Sequence, residues 1–144
     1  KLVGGGDSIF LEEFWRFPAP DAALLAKWAR IRDIREAANK EIEAVREQGA
    51  VGSSLQAELQ LTVPPDDHAL LASLGDELRF VFITSDIELI AGSALLASAS
   101  ASKHQKCERC WHYRADVGHT AEHPTLCGRC VSNLYGAGET RTIA

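Results

Sequence analysis

Along the first third of the chain, apolar residues recur at helical intervals. Between Asp21 and Gln48, the residues Leu24, Trp28, Ile31, Ala38, Ile42 and Val45 fall at steps of three, four or seven, the repeat of a helix with one apolar stripe. Pro18 and Pro20 break the chain ahead of it, Asp21 stands where an N-cap belongs, and Gly49 supplies a C-terminal stop. A helix of this span is about 42 Å long. Upstream, Asp7 to Phe17 holds four of the aromatic residues, and Phe10, Phe14 and Phe17 suit one face of a short helix. That face packs either on the rest of this chain or on a missing neighbour.

After the turn at Gly49 to Ser54 the period changes to two. Leu55, Ala57, Leu59, Leu61 and Val63 alternate with Gln56, Glu58, Gln60 and Thr62, the signature of a half-buried strand. Pro64-Pro65 ends it, and Asp66 or Asp67 is placed to cap a short helix running through Leu74 to a stop at Gly75. Leu78 to Thr84 is rich in β-branched and aromatic residues and predicts a second strand, so that strand, helix and strand form a small right-handed βαβ crossover. Gly92 to Ser102 is rich in Ala, Ser and Leu, and reads as a linker or as a third strand.

The cysteines add the chemistry. All four lie near the end, as Cys107-x-x-Cys110 and Cys127-x-x-Cys130 with sixteen residues between the pairs, a spacing expected of a tetrahedral zinc site. A tight knuckle aims both sulfurs of a pair at one point, and two knuckles complete a four-thiolate shell. Disulfides are disfavoured without any secretion signal. A redox motif would not come as two matched pairs, and a zinc deaminase needs a His-x-Glu and a Pro-Cys-x-x-Cys that do not occur. His104, His112, His119 and His123 lie close by, but four cysteines already fill the shell, so the zinc is structural and has no open position for substrate. The expected organisation is α+β. Residues 1–48 form the aromatic segment and long helix, 49–102 a small βαβ-like unit, and 103–144 a zinc-ribbon or knuckle-like module.

Composition changes this picture little. With 46% hydrophobic and 24% charged residues in 144, the chain is an ordinary globular one, with no apolar run of about 18 residues to cross a membrane. It contains no methionine, even at position 1, which points to a piece of a longer protein. Lys1 to Gly6 is set aside from the fold. The net charge of −5 hides a division. Residues 49–102 set Arg79 against seven acids, whereas five bases face two acids between Lys27 and Lys40, and six face four after residue 102. Two basic islands flank an acidic middle, an arrangement compatible with a nucleic-acid partner.

Each island offers candidates. On the long helix Trp28, Arg32, Arg35, Asn39 and Arg46 fall within about 40° of one another, as donors for phosphates or as a solvated edge satisfied by Glu36 and Glu43. In the tail, Arg109 and Arg129 hold the third place of each knuckle and Trp111-His112-Tyr113 follows the first. Arginine beside exposed aromatic rings provides stacking and phosphate contacts for unpaired bases. Alternatively, Trp111 caps a small core and the arginines offset the charge of the tetrathiolate.

Lys106-Cys-Glu-Arg-Cys-Trp-His-Tyr113, Asp116-Val-Gly118, Leu126-Cys-Gly-Arg-Cys-Val-Ser-Asn-Leu134 and Gly138-Glu-Thr-Arg141 together resemble the C-terminal zinc-binding end of bacterial-type isoleucyl-tRNA synthetases. Asp7-Ser-Ile-Phe10, Ile31-Arg32 with Asn39-Lys40, Gly52-Ser-Ser-Leu-Gln-Ala57 and Gly75-Asp-Glu-Leu-Arg-Phe80 extend the likeness upstream in the same order. Phe14-Trp15-Arg16-Phe17 departs from it, the family more often having Trp-Tyr after the acidic pair. The resemblance implies a class I ligase that joins isoleucine to its tRNA with ATP and magnesium, and that edits valine. The signatures of that chemistry, His-Ile-Gly-His and Lys-Met-Ser-Lys, are absent here. What carries over is a terminal, anticodon-side appendage with Cys107, Cys110, Cys127 and Cys130 on one zinc. Arg109 and Trp111 are its foremost RNA contacts, with Arg129, Arg32 and Arg35 as further candidates. The implied partners are isoleucine tRNA and the remaining domains of a monomeric, cytoplasmic synthetase. The rival expectation is a free-standing zinc module that binds protein.

Overall fold

A computed structural model describes Ser8, Phe10 and residues 16–141. Most of the aromatic segment at Asp7 to Phe17 therefore lies outside the described residues; of its rings, Phe10 and Phe17 are described and are exposed.

Helix α1 spans Ala22–Glu47. Asp21 caps it as expected, its carboxylate accepting from the backbone N–H groups of Ala23 at 2.8 Å and Leu24 at 3.0 Å. Gly49, at φ +75°, takes the left-handed conformation that ends the run. The buried stripe is Ile31, Ile34, Ala38 and Ile42. Leu24, which the periodicity included, is half exposed, because the first turn of α1 extends past the edge of what it covers.

That cover is a three-stranded sheet in the order β2-β1-β3. Strand β1 is Ala57–Val63, with Ala57, Leu59, Leu61 and Val63 facing the core as the alternation requires. Helix α2, Pro65–Ala72, begins with Pro65 in its first turn, where a missing N–H costs nothing. Asp66 and Asp67 sit in that first turn and do not cap it by hydrogen bonds. Strand β2 is Asp86–Ala91 and runs parallel to β1, with Leu59 opposite Ile87 and Leu61 opposite Leu89. Strand β3, Leu96–Ala101, pairs antiparallel on the other edge of β1, which resolves the ambiguous Ala/Ser stretch as a strand.

One expectation fails. Leu78 to Thr84 is not a strand; Leu78–Phe82 forms a short helix, α3, and the parallel strand follows it. β-propensity is a statement about fitting a pleated half-buried surface. Here Leu78 and Phe82, four apart, both enter the core, so burial at helical spacing overrides the local preference. Ile83 then closes the helix at φ +57°, a conformation costly for a β-branched residue.

All three helices contribute to one core with the inner face of the sheet: Ile31, Ile34, Ala38 and Ile42 meet Leu71, Leu74, Leu78 and Phe82 over β1. The opposite face carries Glu58, Gln60, Glu88, Ser98 and Ser100 and remains polar. Arg30 of α1 ties to Asp67 of α2 through two bonds, Nε to Oδ1 at 2.8 Å and Nη2 to Oδ2 at 2.6 Å. Beyond β3, the short strands β4 (Gln105–Lys106) and β5 (Tyr113–Arg114) pair antiparallel, and helix α4, Gly128–Tyr135, follows. The architecture is α+β with a small cysteine-centred module.

Two outcomes are expected. The hydrogen bonds from Arg30 hold the Asp67 carboxyl below its ordinary value, so the pair stabilises the fold above the normal carboxylate range and loses that contribution as acid protonates Asp67. Arg30→Gln should raise the Asp67 midpoint in an NMR titration and cost about 1 kcal/mol at pH 7, allowing for the half-exposed arginine; an unmoved midpoint would refute the pairing. Ile83→Gly should raise the urea midpoint by roughly 1 kcal/mol equivalent. A loss of stability there would show that the side chain, not the backbone, sets that turn.

Candidate metal centre

The first knuckle is the tip of the β4–β5 hairpin and the second opens α4. Within the first, the Trp111 N–H donates to the Cys107 carbonyl at 2.9 Å, and the Cys107 N–H to that of His112 at 2.9 Å, closing the loop on itself. The intervening segment is stitched back by the Glu108 N–H, which donates to Thr125 O at 3.1 Å. Val117 and Leu126 pack against the cysteines. The local fold thus follows from two tight turns and one return loop.

These turns bring the four Sγ atoms within 4.8 Å of one another. Cys107, Cys127 and Cys130 are buried and Cys110 is partly so, and no disulfide joins them. Cys110 and Cys127 are 3.8 Å apart, far beyond an S–S bond of about 2.05 Å. It equals the edge of a tetrahedron whose centre lies about 2.3 Å from each sulfur, the zinc–thiolate distance. The residues therefore fit a four-coordinate zinc.

Electrostatics point the same way. Burial raises all four thiols' cost of ionising, but hydrogen bonds from His112 and Arg129 bring Cys110 down to about 5. Burial pushes Cys127 up to about 12, with the neighbouring Cys110 charge adding to it. Burial likewise raises Cys130. Four adjacent sulfurs cannot all ionise against one another, and a divalent cation removes that conflict. The protein contributes further donors: the Cys127 N–H to Cys107 Sγ at 3.4 Å and Arg109 Nη1 to Cys130 Sγ at 3.6 Å.

The candidate RNA contacts separate into two groups. Arg109 is exposed but turns one donor toward Cys130, while Arg129 bonds Glu139 at 2.9 Å and lies 4.8 Å from the Phe80 ring centroid. Both offset the tetrathiolate charge. Trp111 is 58% exposed, does not cap the small core, and stands at φ +66°. Its indole N–H donates to Glu108 O at 3.1 Å and Lys106 Nζ lies 5.0 Å from its ring. Arg32 is exposed on α1 and Arg35 is half-buried, its Nε lacking a hydrogen-bond partner. Arg46 pairs with Glu43 and Lys40 with Glu36, so part of that row is the solvated edge.

Residues not singled out from sequence complete the site. His112 is 8% exposed, its Nδ1 3.2 Å from Cys110 O and its ring edge-on to Phe80. Asp116 Oδ2 accepts from the Gly128 N–H at 2.9 Å, capping α4 from outside. A Cβ on Gly128 would come within 2.9 Å of that oxygen, so the small residue and the carboxylate require each other. Ser85 accepts from the Tyr113 N–H at 2.6 Å and donates to Leu55 O, joining the module to the sheet. Only Asp116 carried a signal in the sequence, within a quoted motif and without a role.

Residues 105–133 match the model of the zinc finger found in FPG and IleRS. Nearly the whole chain aligns with isoleucine–tRNA ligases. It is 52% identical to that of Ralstonia pickettii (strain 12J) over 143 positions, covering 96% of this chain and 15% of the relative. The chain is homologous to a segment of isoleucine–tRNA ligase. The Azoarcus sp. (strain BH72) ligase is 52% identical over 146 positions, covering 98% and 16%. The Bordetella pertussis ligase is 54% identical over 140 positions, covering 95% and 15%. The chain thus spans about one-sixth of the length of these ligases. The zinc-finger match and the four-cysteine cluster together support one structural zinc.

Freshly purified protein should carry one zinc per chain, and chelation should expose four reactive thiols with loss of order confined mainly to residues 103–141. Cobalt substitution should produce an all-sulfur tetrahedral spectrum. A metal content well below one would refute the site.

Proposed function

We propose that this chain is the anticodon-side, C-terminal tRNA-recognition portion of a cytoplasmic, monomeric isoleucine–tRNA ligase. Its zinc, held by Cys107, Cys110, Cys127 and Cys130, cross-links two knuckles into a rigid surface for RNA. ATP and magnesium serve aminoacylation in the other domains, as does hydrolysis of mischarged valine. The units at 1–48, 49–102 and 103–144 act together as one recognition appendage.

Trp111 carries the reading. A left-handed backbone favours glycine, and a half-exposed indole returns little burial for the strain, about 1 kcal/mol or more. Both considerations argue that the ring serves a contact outside the fold. A ring held by one backbone hydrogen bond beside a lysine suits stacking on an unpaired base. Arg109 adds donors on the same knuckle. Arg32 and Arg35 supply a second cationic strip on α1.

Titration of the zinc-loaded chain against isoleucine tRNA and an unrelated tRNA tests this. Trp111→Gly should keep zinc and thermal stability, yet weaken the isoleucine tRNA complex roughly tenfold, about 1–3 kcal/mol per stacked base. Arg109→Ala should weaken it less. Equal weak binding of both tRNAs, insensitive to either change, would favour a protein-binding zinc module instead.

A further inference from the structure

Phe80, at the middle of α3, gathers three cations. The guanidinium carbons of Arg141, Arg129 and Arg79 lie 4.2, 4.8 and 4.9 Å from its ring centroid. Each pair is therefore within about 10 Å, the Debye length at 0.1 M salt. Arg79 comes from the α/β unit, and Arg129 and Arg141 from the zinc module. They border a cleft of about 540 Å³ whose walls include Gly75, Asp76, Phe80 and Glu139.

The acids present do not balance this cluster. Glu139 Oε1 alone accepts from Arg129 at 2.9 Å, Asn133 at 3.0 Å and Arg141 at 3.1 Å. Arg79 has no hydrogen bond to a carboxylate among the described residues; Asp76 and Asp86 act on it only at a distance. Burial drives its guanidinium below the ordinary value, and the positive charges of Arg114 and Arg129 add to that. An isolated cation–π contact with phenylalanine is too weak to collect three arginines at one ring. Gathered guanidiniums at the wall of a cleft are the usual setting for an oxyanion.

We propose that the Phe80 cleft is a phosphate site, with Arg79, Arg129 and Arg141 as donors, and that its occupant is one backbone phosphodiester of the bound tRNA. A planar carboxylate is satisfied by one guanidinium fork, whereas donors arriving from three side chains suit a tetrahedral group. The site positions RNA without reading its sequence. It rests on the tRNA-recognition reading and adds a contact on the far side of the module from no motif in the knuckles.

The test uses the zinc-loaded chain and fluorescence anisotropy with labelled isoleucine tRNA and an unrelated tRNA, between 50 and about 200 mM salt. Arg79→Gln should weaken both tRNAs alike, roughly three- to tenfold, and flatten the dependence of log K on log salt by about one. Arg79→Lys should restore most of that slope. A preference for isoleucine tRNA that persists while Arg79→Gln leaves affinity and slope untouched would overturn the phosphate site but not the tRNA reading. Loss of slope with no preference between tRNAs would uphold the site and sink the isoleucine reading. If inorganic phosphate shifts the Arg79 and Arg141 Nε signals, yet Arg79→Gln does not alter either tRNA complex, the RNA source is refuted in favour of free phosphate.

Discussion

Four buried sulfurs held within 4.8 Å are the constraint on which the tail depends. Residues 103–141 have no apolar core beyond Val117 and Leu126 packed on the cysteines themselves. A segment of this size cannot offset its conformational entropy through such a core, and metal coordination of the kind seen in zinc fingers contributes on the order of 10 kcal/mol. The same coordination explains why two arginines stand inside the knuckles. A zinc tetrathiolate carries net negative charge, and Arg109 and Arg129 sit where they offset it.

The module is more than a bead on a string. Ser85, at the threshold of β2, bonds both Leu55 O and the Tyr113 N–H, while Phe80 receives His112 edge-on. The short helix α3 is therefore the hinge of the design: its buried side, Leu78 and Phe82, belongs to the core of the sheet, and its outer side meets the module. This is why the chain uses a helix where local preference favours a strand. A strand at Leu78–Thr84 would turn alternate residues to one face and could not present Leu78 and Phe82 to the core with Phe80 on the other side.

Charge follows the same division. The open face of the sheet carries Glu58 and Glu88, with Gln60 bonded to Glu88 at 2.8 Å, and would repel a polyanion. The arginines collect instead on the module and on α1. For an RNA ligand, such a distribution restricts approach as much as it attracts it.

The sequence by itself determined the long helix with its Asp21 cap, the alternating strand β1 and the cysteine quartet. Each rests on a local rule: a 3.6-residue repeat, a two-residue repeat, or a ligand spacing that needs no knowledge of neighbours. Only the tertiary structure decided the rest. Asp86–Ala91 is a strand because Ile87 and Leu89 find partners on β1, and the Ala/Ser stretch is one because β1 has a second edge to pair. Arg79, Arg129 and Arg141 lie fifty or more residues apart from end to end, and nothing local marks them as a group. They meet at Phe80 because a metal-folded tail is docked onto a helix whose position is set by long-range burial.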